Sequence, residues 1–178
     1  MITDAEIEAK AAELRSFPSD VEKDYVHGWF LKGIAARPGL APQLVLKGGN
    51  ALRKGYLTDA RFSKDLDFSA VASMDRAALE RELRDVCAFV EQQTGVHFVD
   101  KTVIKDKDLP IPDVQALEAR IYFKGFYNEE KITLKTQLDI AEFDRIHLPI
   151  QNRALRACNA THYPESLFCL RFLPGQIV

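Results

Sequence analysis

The chain has 178 residues, 47% of them hydrophobic and 28% charged, which is enough apolar material for one domain with a buried core. A formal charge of −2 and a pI near 6.1 exclude a generally basic nucleic-acid binder and confine any RNA contact to a local patch. Cys87, Cys158 and Cys169 are odd in number and far apart, with no C-x-x-C, so neither a disulfide framework nor a zinc site is expected and a reduced cytoplasmic setting fits. Charge begins at Asp4 and no apolar run reaches the length of a membrane span, so the reading expects neither signal peptide nor anchor.

Thr3 and Glu6 stand at capping-box spacing before an Ala/Glu-rich body, predicting a peripheral helix over residues 3–15 that ends near Pro18. Ser19 and Glu22 repeat that spacing. Val21, Tyr25, Val26, Trp29, Phe30 and Ile34 follow at helical intervals, predicting a firmly packed helix that stops at Arg37-Pro38-Gly39. His27 on this helix reads as a packed or surface histidine rather than a ligand.

Next, Leu44-Val45-Leu46-Lys47 reads as a short strand that breaks at Gly48-Gly49 and opens a helix through Asn50. Backbone N–H groups and a helix N-terminus converge at such a turn, which suits a phosphate. A loop over residues 58–61 leads to Arg61, Ser63 and Lys64, where positive charge and a hydroxyl can meet triphosphate oxygens, or simply stay solvated. Arg53, Lys54, Arg61 and Lys64 together are the candidate basic patch for RNA. In Asp65-Leu66-Asp67-Phe68-Ser69, alternation buries Leu66 and Phe68 and turns both carboxylates to the other face, a place for a divalent cation.

Residues 74–94 predict a long helix whose buried face holds Leu79, Leu83, Val86, Cys87 and Val90 and whose stop is Gly95. Residues 96–99 and 103–104 are short strand candidates, and residues 105–112, with two prolines, read as a solvated loop or edge segment. The clearest strand pair alternates Leu117, Ala119, Ile121 and Phe123 with polar residues, turns through residues 125–130, and alternates Ile132, Leu134, Thr136, Leu138 and Ile140 with Lys131, Thr133, Lys135, Gln137 and Asp139. Asp139 is thus placed on the polar face, able to meet Asp65 and Asp67 on a neighbouring strand. Three carboxylates on one face repel unless a cation sits among them, so Mg²⁺ or Mn²⁺ is expected on Asp65, Asp67 and Asp139. Lys135 either helps to bind phosphate or balances charge. Residues 152–160 are too mixed to assign, and residues 168–172 read as a strand.

Leu46-Lys47-Gly48-Gly49-Asn50-Ala51-Leu52, Arg61-Phe62-Ser63-Lys64-Asp65-Leu66-Asp67 and Leu138-Asp139-Ile140, with Glu22-Lys23-Asp24-Tyr25-Val26 ahead of them, resemble the signature of the AbiEii/AbiGii toxin family of nucleotidyltransferases, the toxin side of type IV toxin–antitoxin systems. The resemblance covers roughly residues 20–142. It implies an α/β (α+β) fold with a nucleotidyltransferase-like mixed sheet flanked by helices, and transfer of a nucleotide from an NTP to an RNA acceptor, with the tRNA 3′ end the leading candidate and an antitoxin as partner. Asp65, Asp67 and Asp139 would be catalytic and metal-binding; Lys47, Gly48, Gly49, Asn50, Arg61, Ser63, Lys64 and Lys135 would bind nucleotide or phosphate. Asn50 departs from the family's usual small hydroxyl residue, and Lys64 stands where an acidic residue is common.

Family members usually continue into helices that carry a further lysine and aspartate. The reading therefore divides the chain into a helix over residues 1–18, a catalytic core over 19–145 and an incomplete segment over 146–178. It takes the apolar Ile177-Val178 end as a chain cut in mid-structure, to be completed by a second chain if the protein is naturally split, and expects exposed apolar surface and self-association. Two rivals remain open at this stage: a catalytically incomplete nucleotide- or protein-binding module, and a D-x-D glycosyltransferase, which would need a dinucleotide-type βαβ unit ahead of the aspartates.

Overall fold

The computed structural model describes residues 1–57, 61–107, 115–127, 132–142, 149–155 and 169–172. Helix α1 (Asp4–Glu13) starts at the expected capping box, with Thr3 N–H donating to the Glu6 carboxylate at 2.9 Å and the Thr3 hydroxyl accepting from Glu6 N–H. Its Ile7 and Ala11 are buried against the rest of the core. Helix α2 (Pro18–Ala35) does not use the second capping box that the sequence suggests. Pro18 itself opens the helix with Phe17 at the cap and no side-chain bond there. Glu22 is instead 5% exposed and accepts from the backbone N–H groups of Phe126 (2.7 Å) and Tyr127 (2.8 Å), clamping α2 to a distant turn.

The strands β1 (Leu44–Lys47), β2 (Asp65–Ala70), β3 (Phe98–Lys107), β4 (Gln115–Lys124), β5 (Thr133–Glu142), β6 (Gln151–Ala154) and β7 (Cys169–Phe172) form one mixed sheet in the order β3-β4-β5-β2-β1-β7-β6. The β2–β5 and β1–β7 pairs are parallel and the others antiparallel. Helix α3 (Gly48–Gly55) links β1 to β2, and α4 (Arg76–Thr94) starts at Asp75, whose side chain accepts from Ala78 N–H at 2.7 Å, and ends at Gly95.

The alternation seen in the sequence sorts the sheet into two faces. Leu46, Leu66, Phe68, Leu138, Ile140, Ala119, Ile121 and Phe123 share one core with Val26, Phe30 and Ile34 of α2 and Leu83, Val86 and Val90 of α4. The other face carries the polar residues of the same strands. Within this frame β4 and β5 stand where the pattern put them. The two short strands expected near residues 96–104 are one ten-residue edge strand, β3, with an irregularity between Phe98 and Thr102, and it extends through Lys105, Asp106 and Lys107, so of the two readings of that stretch the edge segment holds there and the solvated loop does not. Strand β6 lies in the stretch left unassigned by its mixed pattern. The expected loop at residues 58–60, residues 108–112, the turn beyond Tyr127, Cys158 and the Ile177-Val178 end fall outside the described residues.

Candidate active site

Register brings the predicted carboxylates together. Lys47 of β1 lies opposite Asp67 of β2, Asp67 beside Asp139 of β5, Asp139 opposite Glu118 of β4, and Glu118 opposite Lys105 of β3, one row across the polar face. Asp65 lies one step further along that face, beside Gln137. Burial and then the neighbouring Asp139 carboxylate hold the Asp65 carboxyl above its usual range, and burial followed by Asp139 and Asp65 does the same to Asp67. Negative charge is therefore concentrated here.

The Gly48-Gly49 turn is closely packed against the site. Gly48 has φ +67°, a left-handed conformation that side chains disfavour, and a Cβ on it would overlap the Asp67 carboxylate. A Cβ on Gly49 would come within 2.7 Å of the Ser63 hydroxyl. The missing side chains thus make room for two site residues. The N–H groups of the first turn of α3 have no partner within the helix.

Asn50 faces inward. Its side chain is fully buried, its amide donates to the Asp65 carbonyl at 2.8 Å and stands 3.4 Å from His27 Nδ1, so any contact of residue 50 with phosphate is left to its backbone. His27 is the packed histidine that the sequence suggested: it is wholly buried, and burial first, then the Lys54 charge, push its pKa down to about 3. Arg61 and Lys64 are exposed ahead of β2, with Ser63 half-buried between them, while the Lys135 ammonium donates to Gln137 Oε1 at 2.9 Å on the polar face.

The basic patch proposed from the sequence is cut in half. Arg53 and Lys54 are 3% and 2% exposed and pair with the buried Asp24 of α2, Lys54 Nζ at 2.8 Å and Arg53 Nε at 3.3 Å from Oδ1. Arg53 also stacks on Phe62 at 4.2 Å. Burial alone would raise the Asp24 carboxyl, but Lys54 and Arg53 outweigh it and hold it below the ordinary value. These charges fasten α3 to α2 and cannot meet RNA, because their counter-charge lies inside the protein.

One site residue was missed by the sequence reading. Lys107, assigned there to a solvated run, reaches from the edge strand over Ala116, its small register partner on β4, and donates to Asp139 Oδ2 at 2.8 Å. That bond raises the Lys107 pKa. Gln137 Nε2 lies 3.2 and 3.3 Å from the two oxygens of the same carboxylate. Glu118 meets Lys105 at 3.2 Å and Arg120 at 2.7 Å. Among the described residues, no three His, Cys, Asp or Glu side chains are gathered closely enough to hold an ion as they stand. With Lys107 on Asp139, a cationic group already occupies that end of the cluster. The only early signal was the Lys-x-Lys alternation at residues 105–107, which would put both ammonium groups on one strand face.

Strands β1 and β2 are antiparallel and joined through α3, so the dinucleotide-type βαβ unit that a D-x-D glycosyltransferase would need is not formed ahead of Asp65. No described helix is long and apolar enough to cross a membrane.

The crystal structure of JHP933 from Helicobacter pylori has a similar fold, with a TM-score of 0.53 at 18% identity over 87% of this chain and 52% of that one. The chain therefore spans about half the length of that protein. No curated protein matches the sequence. The model of the type IV toxin–antitoxin nucleotidyl transferase AbiEii matches residues 29–168, across both the glycine turn and all three aspartates. The chain belongs to the AbiEii family of nucleotidyl transferase toxins.

Proposed function

We propose that this chain carries the nucleotide site of a metal-dependent nucleotidyltransferase that moves a nucleotide from an NTP to an RNA acceptor, the tRNA 3′ end first among candidates, in a toxin–antitoxin pair. The observation that carries the reading is the interlock of turn and carboxylates: Asp67 fills the space over Gly48 and stands in register with Asp139. A phosphate cradle and an anionic cluster in contact suit a nucleotide held through a cation, because each alone would repel or ignore the other's ligand.

By its chemistry the donor set suits a divalent cation, although the three carboxylates would have to draw together around it. Asp65, Asp67 and Asp139 supply hard oxygen ligands on one sheet face, and the first two are kept crowded and partly desolvated, a condition that a cation relieves. Bound Mg²⁺ or Mn²⁺ would make the acceptor hydroxyl more acidic and neutralise charge on the departing pyrophosphate. The backbone of Gly48, Gly49 and Asn50 would hold the phosphates, with Lys47, Ser63, Arg61, Lys64 and Lys135 around them. Asp139 would orient the acceptor hydroxyl. In the transfer that hydroxyl would give its proton to the Asp139 carboxylate as its oxygen bonds the α-phosphorus, while the bond from the α-phosphorus to the bridging oxygen breaks and pyrophosphate leaves.

The test incubates the protein with Mg²⁺, each α-labelled NTP and total tRNA, with and without the product of the adjacent gene. Label on RNA that disappears in Asp67→Ala supports the reading and identifies NTP and acceptor. Saturable NTP binding with no label in any mixture contradicts it and favours a binding module.

A further inference from the structure

The Lys107–Asp139 contact does not belong to a resting structural salt bridge of the kind that Lys54 makes. Lys54 is 2% exposed and held by both the carboxylate and the backbone carbonyl of Asp24. Lys107 sits at the end of an edge strand, is 38% exposed, and spans β4 only because Ala116 leaves its stem room to cross. Partly exposed ion pairs of this sort are worth about 1 kcal/mol or less and are easily exchanged. Yet the partner is the carboxylate in register with Asp67. Its Oδ2 is taken by the ammonium, and the Gln137 amide approaches both of its oxygens. A divalent cation arriving at Asp139 needs the same lone pairs and is repelled by the same ammonium.

We propose that Lys107 is a placeholder cation: it occupies the Asp139 end of the cluster until metal and nucleotide arrive together, then releases the carboxylate to the metal and takes the triphosphate. The inference rests on the metal–nucleotide reading given above. On the polar face Lys107 lies in the row of Ser69 and Val45, adjacent to the row of Lys47, Asp67 and Asp139, so a displaced ammonium stays on the face that holds the phosphate turn. A nucleoside triphosphate supplies the anion that the ammonium loses. Metal alone must evict Lys107 without compensation, whereas metal with nucleotide need not, so the two ligands bind with positive coupling. Such a device keeps the site from filling with free metal and makes Lys107 a phosphate-binding residue in the loaded state.

Mn²⁺ is titrated into the nucleotide-free protein, with free Mn²⁺ followed by electron paramagnetic resonance, for wild type, Lys107→Ala, Lys107→Arg and Asp67→Asn. Lys107→Ala is expected to bind Mn²⁺ roughly fivefold or more tightly than wild type, the lower end of usual coupling factors, with Lys107→Arg close to wild type. A gain in affinity cannot come from a damaged fold. At saturating Mn²⁺, Lys107→Ala is expected to bind the preferred one of four α,β-methylene NTP analogues about fivefold more weakly than wild type does. Unchanged or weaker Mn²⁺ binding in Lys107→Ala, or unchanged analogue binding, overturns the proposal while Asp67-dependent Mn²⁺ binding in wild type leaves the metal site standing. Absence of Mn²⁺ binding in both wild type and Lys107→Ala, or Mn²⁺ binding that is unchanged with Asn at position 67, brings down the metal reading and the proposal with it.

Discussion

Gly48 and Asp67 constrain each other, since the left-handed glycine leaves the space that the carboxylate fills. Gly48→Ala would add a strained backbone and push the carboxylate aside. We expect a loss of about 1–3 kcal/mol in urea unfolding, with nucleotide binding weakened beyond what that loss explains. Asp67 itself is held above its usual pKa by burial and by two neighbouring carboxylates, so its ionised form works against the metal-free fold. Asp67→Asn should therefore raise the metal-free Tm by roughly 1–3 °C and abolish any rise on adding Mn²⁺, as read by differential scanning calorimetry. The two glycines and the alternating aspartates were legible in the sequence because turn geometry and strand alternation are local. Asn50, Arg53 and Lys54 were not. Their inward orientation depends on His27 and Asp24, which lie 23 to 30 residues earlier on another helix.

The α2–α3 junction is the element on which the Gly48-Gly49 turn rests. Asp24 is the buried carboxylate paired with two almost wholly buried cations, so removing it takes the same counter-charge from both. Asp24→Ala should cost about 3–5 kcal/mol in urea unfolding, whereas Asp24→Leu combined with Lys54→Met should cost less than the single change, because it withdraws one of the stranded charges as well. The same contrast explains what the pattern of the chain can and cannot reveal. Strands β4 and β5 declare themselves by apolar–polar alternation over residues 117–123 and 133–140. Strand β3 carries Asp100, Lys101, Lys105, Asp106 and Lys107, and its charged sequence reads as solvent-facing until β4 is seen to hold it in register. Likewise, Ser19 and Glu22 have the spacing of a cap, but Pro18 opens the helix first and the backbone of the β4–β5 turn claims Glu22.

For the whole molecule, acid should loosen the fold through His27. Its folded pKa of about 3 lies below the unfolded value of 6.5, so between these limits the unfolded chain binds a proton that the folded chain refuses. Stability should fall as pH drops from 6.5, by up to about 1.4 kcal/mol per pH unit, with Asp65 and Asp67 opposing part of the slope because their folded pKa values are raised. Urea unfolding of wild type and His27→Gln between pH 7 and 5 checks this, and His27→Gln should show the shallower dependence. At this scale the resemblance implied a mixed sheet flanked by helices, and strand alternation put the polar residues together on one face. Alternation placed Asp139 where it could meet Asp65 and Asp67 on a neighbouring strand, as the register has it, but the full strand order, which brings Lys107 within reach, was not legible, since register across four strands is a long-range property. That convergence is the central claim, and a crystal soaked with Mn²⁺ and an α,β-methylene NTP tests it most directly. Anomalous scattering from Mn²⁺ among Asp65, Asp67 and Asp139, with the triphosphate on the Gly48-Gly49 turn and Lys107 moved from Asp139 to a phosphate oxygen, is the result expected. Mn²⁺ bound away from the aspartates, or a triphosphate seated elsewhere on the sheet, would contradict the account.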